Sequence, residues 1–294
     1  MSDEPSSPKR APLPLAAWSA QERAHIRGVI TDIDDTLTNE GRLAETTREA
    51  LQALTQAGLS VLAVTGRPVG WSLPHLSGAQ AWPVLGIVAE NGAVALKATT
   101  DGQIQRWYRD SAATRNAHWQ RLQSALADIE AQIPGARRSE DSVGRETDIA
   151  IDHSEHHRLR PQQIEAVVQR LRAHGLRVTV SSIHINAWLG EHNKWIGACW
   201  ALRNWLQREL ADELNQWVYV GDSSNDEVMF EHIPQSVGVA NIARFLPGLA
   251  HTPRFICQAE GGAGFAELAD ALLQVRAPAS SAPPTAQHEK MRQG

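Results

Sequence analysis

Two runs in this chain, Val61–Val64 and Val84–Ala89, carry no charged or strongly polar side chain and stop abruptly at polar turns, Thr65-Gly66-Arg67-Pro68 and Glu90-Asn91-Gly92. A strand with one face in water alternates polar and apolar residues, whereas a strand apolar throughout is buried on both faces, the signature of a parallel sheet with helices on each side. Between such runs lies a helical pattern. Leu43, Thr47, Ala50, Leu51 and Leu54 recur at helical spacing and Gly58 closes the segment. A β-branched run at Gly28–Ile33 precedes it, giving β-α-β order and predicting an α/β fold with a parallel sheet.

The pattern is interrupted once. Ala93–Ala98 and Ile104–Arg109 flank Thr99–Gly102 as a hairpin, and Thr114–Ile133 reads as a helix ended by Pro134-Gly135. A second unit follows, with a strand at Thr147–Asp152, a helix at Pro161–His174 ended by Gly175, and two strands within Arg177–Leu189. After Lys194 the first pattern returns, with a helix, strands at Trp217–Val220 and Val237–Ala240, and a last helix at Gly264–Val275. The predicted organisation is therefore a core formed by 26–92 and 191–276, an α+β insertion at 93–190, and disordered tails at 1–25 and 277–294, both rich in Pro, Ser, Ala, Gln and charge.

Composition narrows the function. The net charge is -5, and the insertion is nearly neutral, so no basic face for nucleic acid is expected. No apolar run approaches the roughly 20 residues of a membrane span. The first 25 residues lack the apolar segment of a secretory leader. Two cysteines, Cys199 and Cys257, form neither a disulfide framework nor a thiolate metal motif, which fits a reducing, cytoplasmic setting. The sequence sets no oligomeric state.

Chemistry gathers where the predicted strands end. Asp32 and Asp34 stand at the end of the first strand, where α/β sheets bind ligands in the crevice beyond their carboxyl edge. Two carboxylates there repel each other, and burial raises their pKa unless a cation compensates, so a hard divalent ion among oxygens would account for them. Thr65-Gly66-Arg67 ends the second strand and offers a hydroxyl and backbone N–H groups to a phosphate oxygen. Gly221-Asp222-Ser223-Ser224-Asn225-Asp226 adds acids at the end of a later strand. Lys194 is one of only four lysines among 28 basic residues, and it opens a helix, where its charge opposes the macrodipole. His153, His156 and His157 cluster beside Asp152 and Glu155 and read as a polar loop rather than a metal site.

Asp32-x-Asp34-x-Thr36, Thr65, Lys194 and Gly221-Asp222-x-x-Asn225-Asp226 resemble, in order, the four motifs of the haloacid dehalogenase superfamily of aspartate-nucleophile phosphatases. The resemblance covers residues 28–276, and the long interval between Thr65 and Lys194 is similar to that of the type IIB branch, in which an α+β cap is inserted there into a Rossmann-like core. Glu90-Asn91-Gly92-Ala93 and Gly261-Gly262-Ala263-Gly264-Phe265 also look like that branch; Asp35 departs from it, standing where many relatives have Gly.

The resemblance implies roles. Asp32 would be the nucleophile and Asp34 the general acid and base, with Mg²⁺ held by Asp32, the Asp34 carbonyl and Asp222. Thr65, Gly66, Arg67, Asn91 and Lys194 would hold the phosphoryl group, Asn225 and Asp226 would support the site, and His184 and Asn186 would reach the substrate from the cap. The activity it implies is Mg²⁺-dependent hydrolysis of a small phosphorylated metabolite, sugar phosphates foremost, through an aspartyl-phosphate. Phosphate transfer to a second sugar, as in a phosphomutase, and silent metabolite binding are the rival readings.

Overall fold

The computed structural model describes residues 11–276. Nine strands form one sheet in the order Leu13–Pro14, Phe255–Ile256, Ser236–Gly238, Trp217–Gly221, Gly28–Thr31, Ser60–Val64, Gly86–Ala89, Val94–Ala98 and Ile104–Tyr108. Neighbours are parallel from Leu13–Pro14 as far as Gly86–Ala89, and the last two strands are antiparallel. The α/β expectation holds, and the apolar runs are explained by burial on both faces. Val29, Val61, Ile87 and Val218 pack into one core layer, while Ile30, Leu62, Val88 and Tyr219, one residue on in each strand, pack into the other. Helices Glu45–Gln56 and Gly261–Leu273 cover the first face, and helix Lys194–Leu206 covers the second.

The insertion holds a separate antiparallel sheet in the order Arg177–Val180, His184–Trp188, Asp148–Asp152 and Arg137–Arg138. Helices Ala112–Gln132 and Pro161–Ala173 bury Leu122, Leu126, Ile129, Val167 and Leu171 against Ile149, Ile151 and Ile185 on one face of this sheet. The amphipathic spacing of those helices leaves one apolar stripe each, which is what a single covered sheet face requires.

Two expectations about boundaries are corrected. The hairpin of 94–98 and 104–108 was assigned to the insertion at 93–190, yet it pairs with Gly86–Ala89 and extends the main sheet. Its strands bury Val94 and Leu96 in the main core, which fixes them there. Residues 11–25, assigned to a disordered tail, are ordered because they carry apolar anchors. Trp18 is buried and stacks on Phe255 at 5.4 Å, Leu13 pairs with Phe255, and Ser19 accepts from the Glu22 N–H to cap helix Ala20–Ala24. Residues 1–10 and the expected tail at 277–294 lie outside the described residues.

Candidate active site

The carboxyl ends of the central parallel strands bring Asp32, Thr65, Glu90 and Asp222 to one edge of the main sheet. The Asp32 N–H still donates to Val220 O at 2.9 Å, so the nucleophile candidate leaves the ladder with its backbone fixed. Lys194, the first residue of helix Lys194–Leu206, is buried between acids and donates to Asp32 Oδ1 at 2.7 Å and Asp226 Oδ1 at 2.6 Å. The helix end is capped by Asn193, whose side chain accepts from the Ile196 N–H at 2.9 Å.

Asp226 is saturated. One oxygen takes Lys194 and the Tyr219 hydroxyl, and the other accepts the N–H groups of Asp222 at 2.9 Å and Ser223 at 3.0 Å. Gly221 is required for this, because a Cβ there would stand 2.4 Å from Asp226 Oδ2. Asn225 accepts from the Ser223 hydroxyl at 2.9 Å and shapes the same turn.

Asp32, Asp222 and Asp226 offer carboxylate oxygens within 4.8 Å of one another, all buried. Burial, opposed by the Lys194 charge and reinforced by Asp226 and Asp34, raises the Asp32 pKa to about 7. Burial and the neighbouring acids likewise raise that of Asp222 well above the usual carboxylate range. Lys194 compensates Asp32 and Asp226. Asp222 has only the Thr36 hydroxyl at 3.5 Å, the Asn241 amide at 3.1 Å and the half-exposed Arg244 guanidinium at 3.7 Å. The under-compensated Asp222 beside the Asp32 carboxylate offers hard oxygen donors that fit a divalent cation of the Mg²⁺ kind. The Asp34 carboxylate stands outside this group and faces Arg67.

Arg67 ties the core to the insertion. Its buried guanidinium lies 2.9–3.1 Å from the Asp34 carboxylate, 2.6 Å from Glu155 Oε1 and 3.3 Å from Asp141 Oδ2, the last two on the insertion. Glu155 is presented by a loop wound around Asp152, whose carboxylate accepts the backbone N–H groups of residues 154–157 at 2.9–3.1 Å. His153 is buried in that loop, its Nε2 3.0 Å from Ser181 O, and no metal grouping of the histidines occurs among the described residues. From the opposite direction Arg145 donates to Gly66 O at 3.0 Å and Asp148 at 2.8 Å. Glu90, fully buried at φ 50°, accepts the N–H groups of Val69, Glu146 and Thr147 at 2.6–3.1 Å. The two parts touch backbone to backbone at Gly70 and Gly144, where a Cβ on Gly70 would come within 2.7 Å of the Gly144 Cα.

The remaining residues singled out by sequence lie close by. The Thr65 hydroxyl accepts from the Arg67 N–H at 3.0 Å, and the Asn91 N–H donates to Thr65 O at 2.9 Å. A Cβ on Gly66 would stand 3.1 Å from Asn186 Oδ1 and 3.2 Å from Asn91 Nδ2, so these three converge. Asn186 donates to Gly66 O at 3.2 Å and to Asp148 at 3.3 Å, and His184 Nε2 lies 2.8 Å from Glu155 Oε2. The Asn186 amide is thus engaged by protein, whereas His184 Nε2 is buried beside Glu155 without a hydrogen bond of good geometry. Sequence reasoning passed over Glu90 as a bridge, Arg145, Asp141 and Asn241. Only Glu90 carried a signal, its place in the Glu-Asn-Gly turn; the others stand in unremarkable polar sequence and are recruited by the fold.

A family description, haloacid dehalogenase-like hydrolase, matches residues 29–125. No curated protein matches. Among solved structures, Thermoplasma acidophilum 0175 is similar with TM-score 0.63 at 16% identity, covering 84% of this chain and 98% of that one. The sucrose-phosphatase from Synechocystis sp. PCC6803, solved with sucrose and phosphate, gives 0.58 at 14%, covering 83% and 97%. The subclass IIB sugar phosphatase BT4131 gives 0.57 at 15%, covering 84% and 97%. An α/β core with an acid-rich strand edge and an inserted α+β unit is the class these features define. Residues 29–125 thus match the haloacid dehalogenase-like hydrolases, and the fold of the chain is similar to that of the subclass IIB sugar phosphatase.

Proposed function

We propose that this chain is a Mg²⁺-dependent phosphatase of small phosphorylated metabolites, sugar phosphates foremost, with the inserted antiparallel unit as its cap, working in the cytoplasm. The observation that supports it most is the arrangement around Lys194, which balances Asp32 and Asp226 while Asp222 stays under-compensated. A scaffold protein has no use for three buried acids around one lysine. A phosphoryl-transfer site has.

In this reading the Asp32 carboxylate attacks phosphorus, forming the Asp32 O–P bond as the bond to the leaving oxygen breaks. Asp34, its position fixed by Arg67, gives a proton to that oxygen, then takes one from the water that attacks the aspartyl-phosphate and releases Asp32 and inorganic phosphate. Lys194, Thr65, Asn91 and the Gly66 N–H hold the phosphoryl oxygens, and Asp226, Asn225 and Tyr219 keep Lys194 and Asp222 in register. Mg²⁺, held by Asp32, Asp222 and the Asp34 carbonyl, would neutralise phosphoryl charge. His184 and Asn186, with Arg67, Arg145 and Glu155, close the cap over the crevice.

The test is phosphate release from a panel of phosphorylated metabolites with Mg²⁺, with product analysis. Inorganic phosphate as the product supports hydrolysis. A phosphorylated acceptor in its place would make the chain a phosphotransferase, and no turnover on the whole panel would overturn the reading.

A further inference from the structure

Asp35 follows the proposed acid Asp34 with φ 54°, in the left-handed region that glycine occupies freely and aspartate enters at a cost. Its backbone is held there by Asn241, whose Nδ2 donates to Asp35 O at 3.0 Å. Its carboxylate faces a cation. Arg244, the last residue of the turn Ala240–Arg244, has one guanidinium nitrogen 3.7 Å from Asp35 Oδ2 and 3.7 Å from Asp222 Oδ2. The same guanidinium lies over the Phe245 ring at 4.9 Å, a contact that fixes its approach independently of either acid.

The three groups differ in setting. Asp222 is fully buried, Asp35 is partly exposed and Arg244 is half-exposed. Outside them lies a recess of about 310 Å³, whose lining includes the acids Asp35, Glu40 and Glu260 and the base Arg244. At 3.7 Å a pair is ionic without being a hydrogen bond, so Arg244 delivers charge to Asp222 rather than a directed donor. Asn241 does the aiming, since it donates to the same Asp222 oxygen at 3.1 Å. A divalent cation on Asp222 and the Arg244 guanidinium draw on one carboxylate and repel each other. The Asp35 charge acts in the opposite sense, because it attracts the cation and draws Arg244 off Asp222.

Resting on the reading of Asp32 and Asp222 as metal ligands, we propose that Arg244 and Asp35 are a charge pair that sets the affinity of this site for its divalent cation, Arg244 weakening it and Asp35 strengthening it. Neither side chain is a ligand. Aspartate then stands at a backbone position that suits glycine because its charge is used.

The experiment measures binding rather than turnover. Mn²⁺, which prefers the same oxygen donors, is titrated into the full chain without substrate, the free ion is followed by electron paramagnetic resonance, and Mg²⁺ is measured by competition. Arg244→Gln removes the charge and Arg244→Lys keeps it; Asp35→Asn removes the charge and still tolerates the left-handed backbone, which Asp35→Gly suits best. Arg244→Gln should bind Mn²⁺ about three- to tenfold more tightly than wild type, somewhat more than an exposed pair of unit charges would give, because the ion carries two. Arg244→Lys should stay within twofold of wild type. Both Asp35 variants should bind about three- to tenfold more weakly, and Asp35→Asn should cost less in the Arg244→Gln background, where no guanidinium remains to move onto Asp222. Raising KCl to about 1 M should narrow the gap between wild type and Arg244→Gln, since a half-exposed charge is screened. Equal Mn²⁺ affinity in Arg244→Gln and Arg244→Lys, or wild-type affinity in both Asp35 variants, would overturn the pair. Failure of the metal reading looks different, because wild type would then bind no Mn²⁺, or Asp222→Asn would bind it as tightly as wild type.

Discussion

Lys194 Nζ lies 2.7 Å from Asp32 Oδ1, although 162 positions separate the two in the chain. A second carboxylate, Asp226, holds the same ammonium at 2.6 Å, and all three groups are buried. At a helix start a lysine opposes the macrodipole by about 0.3–1 kcal/mol, so on that ground alone its removal should be harmless. The ion pairs reverse the sign. Removing one member of a buried charge cluster leaves the others uncompensated, at a cost of about 3–5 kcal/mol. Lys194→Ala is therefore expected to lower the melting temperature substantially at neutral pH and to reduce kcat/KM a hundredfold or more. Melting curves and initial rates on one preparation test this; unchanged stability together with near-normal turnover would remove Lys194 from the site.

Asp32→Asn separates the proposed nucleophilic role of Asp32 from its structural one. The amide is nearly isosteric and its oxygen can still accept from Lys194, while one buried charge is lost from a cluster whose acids burial already disfavours. Folding should persist with a melting temperature equal to or above wild type. Turnover should fall by at least a thousandfold, since an amide oxygen cannot form a stable acyl-phosphate. Phosphate release at a tenth of the wild-type rate or more would exclude Asp32 as nucleophile.

How much of this was legible beforehand differs between the strands and their surroundings. Val61–Val64 announced a doubly buried strand, and the polar turns after Ile33, Val64 and Val220 marked the sheet edge at which Asp32, Thr65 and Asp222 now meet. The position of Lys194 was legible through its rarity and its place at a helix start. What sequence did not reveal is long-range pairing. The hairpin at 94–108 belongs to the main sheet through its register with Gly86–Ala89, which its own alternation does not encode. Residues 11–25 look like a tail by composition, yet Trp18 stacked on Phe255, buried Leu15 and the pairing of Leu13 with Phe255 anchor them. Arg145, Asp141 and Glu155 gain meaning only once two separately built sheets close on Arg67.

Closure of the insertion on the core should be acid-sensitive. Burial alone would raise the Glu155 pKa, but the adjacent His184 and Arg67 prevail and hold it at about 2. Burial of Asp141 is likewise outweighed by the charges of Arg145, His184 and Arg67, giving about 2. Carboxyls with folded values below their unfolded ones contribute stability that is complete above about pH 4.5 and disappears as pH falls towards 2. Glu155→Gln should be less stable than wild type at pH 6, and the gap should close between pH 4.5 and 2. Tryptophan-fluorescence melting curves across that range measure it; a gap that stays constant with pH would show that Glu155 is not held as a carboxylate by Arg67.

Asn241 offers the sharpest check on the metal. Its Nδ2 donates to Asp222 Oδ2 at 3.1 Å and to Asp35 O at 3.0 Å, and its Oδ1 accepts the Gly261 N–H at 3.1 Å, so it fixes the Asp222 carboxylate relative to the first-strand turn. Partners that orient metal-binding groups change metal affinity about 10–100-fold when removed. Asn241→Ala should thus shift the Mg²⁺ concentration for half-maximal activity upwards by that factor, while kcat at saturating Mg²⁺ stays within a few-fold of wild type. Chelator should abolish activity in both proteins, Mg²⁺ should restore it, and Ca²⁺, larger and less strict in geometry, should restore it poorly. A Mg²⁺ titration of wild type and variant decides the matter: an unshifted midpoint in Asn241→Ala would detach Asn241 from the metal site, and full activity in excess chelator would detach the metal from the reaction.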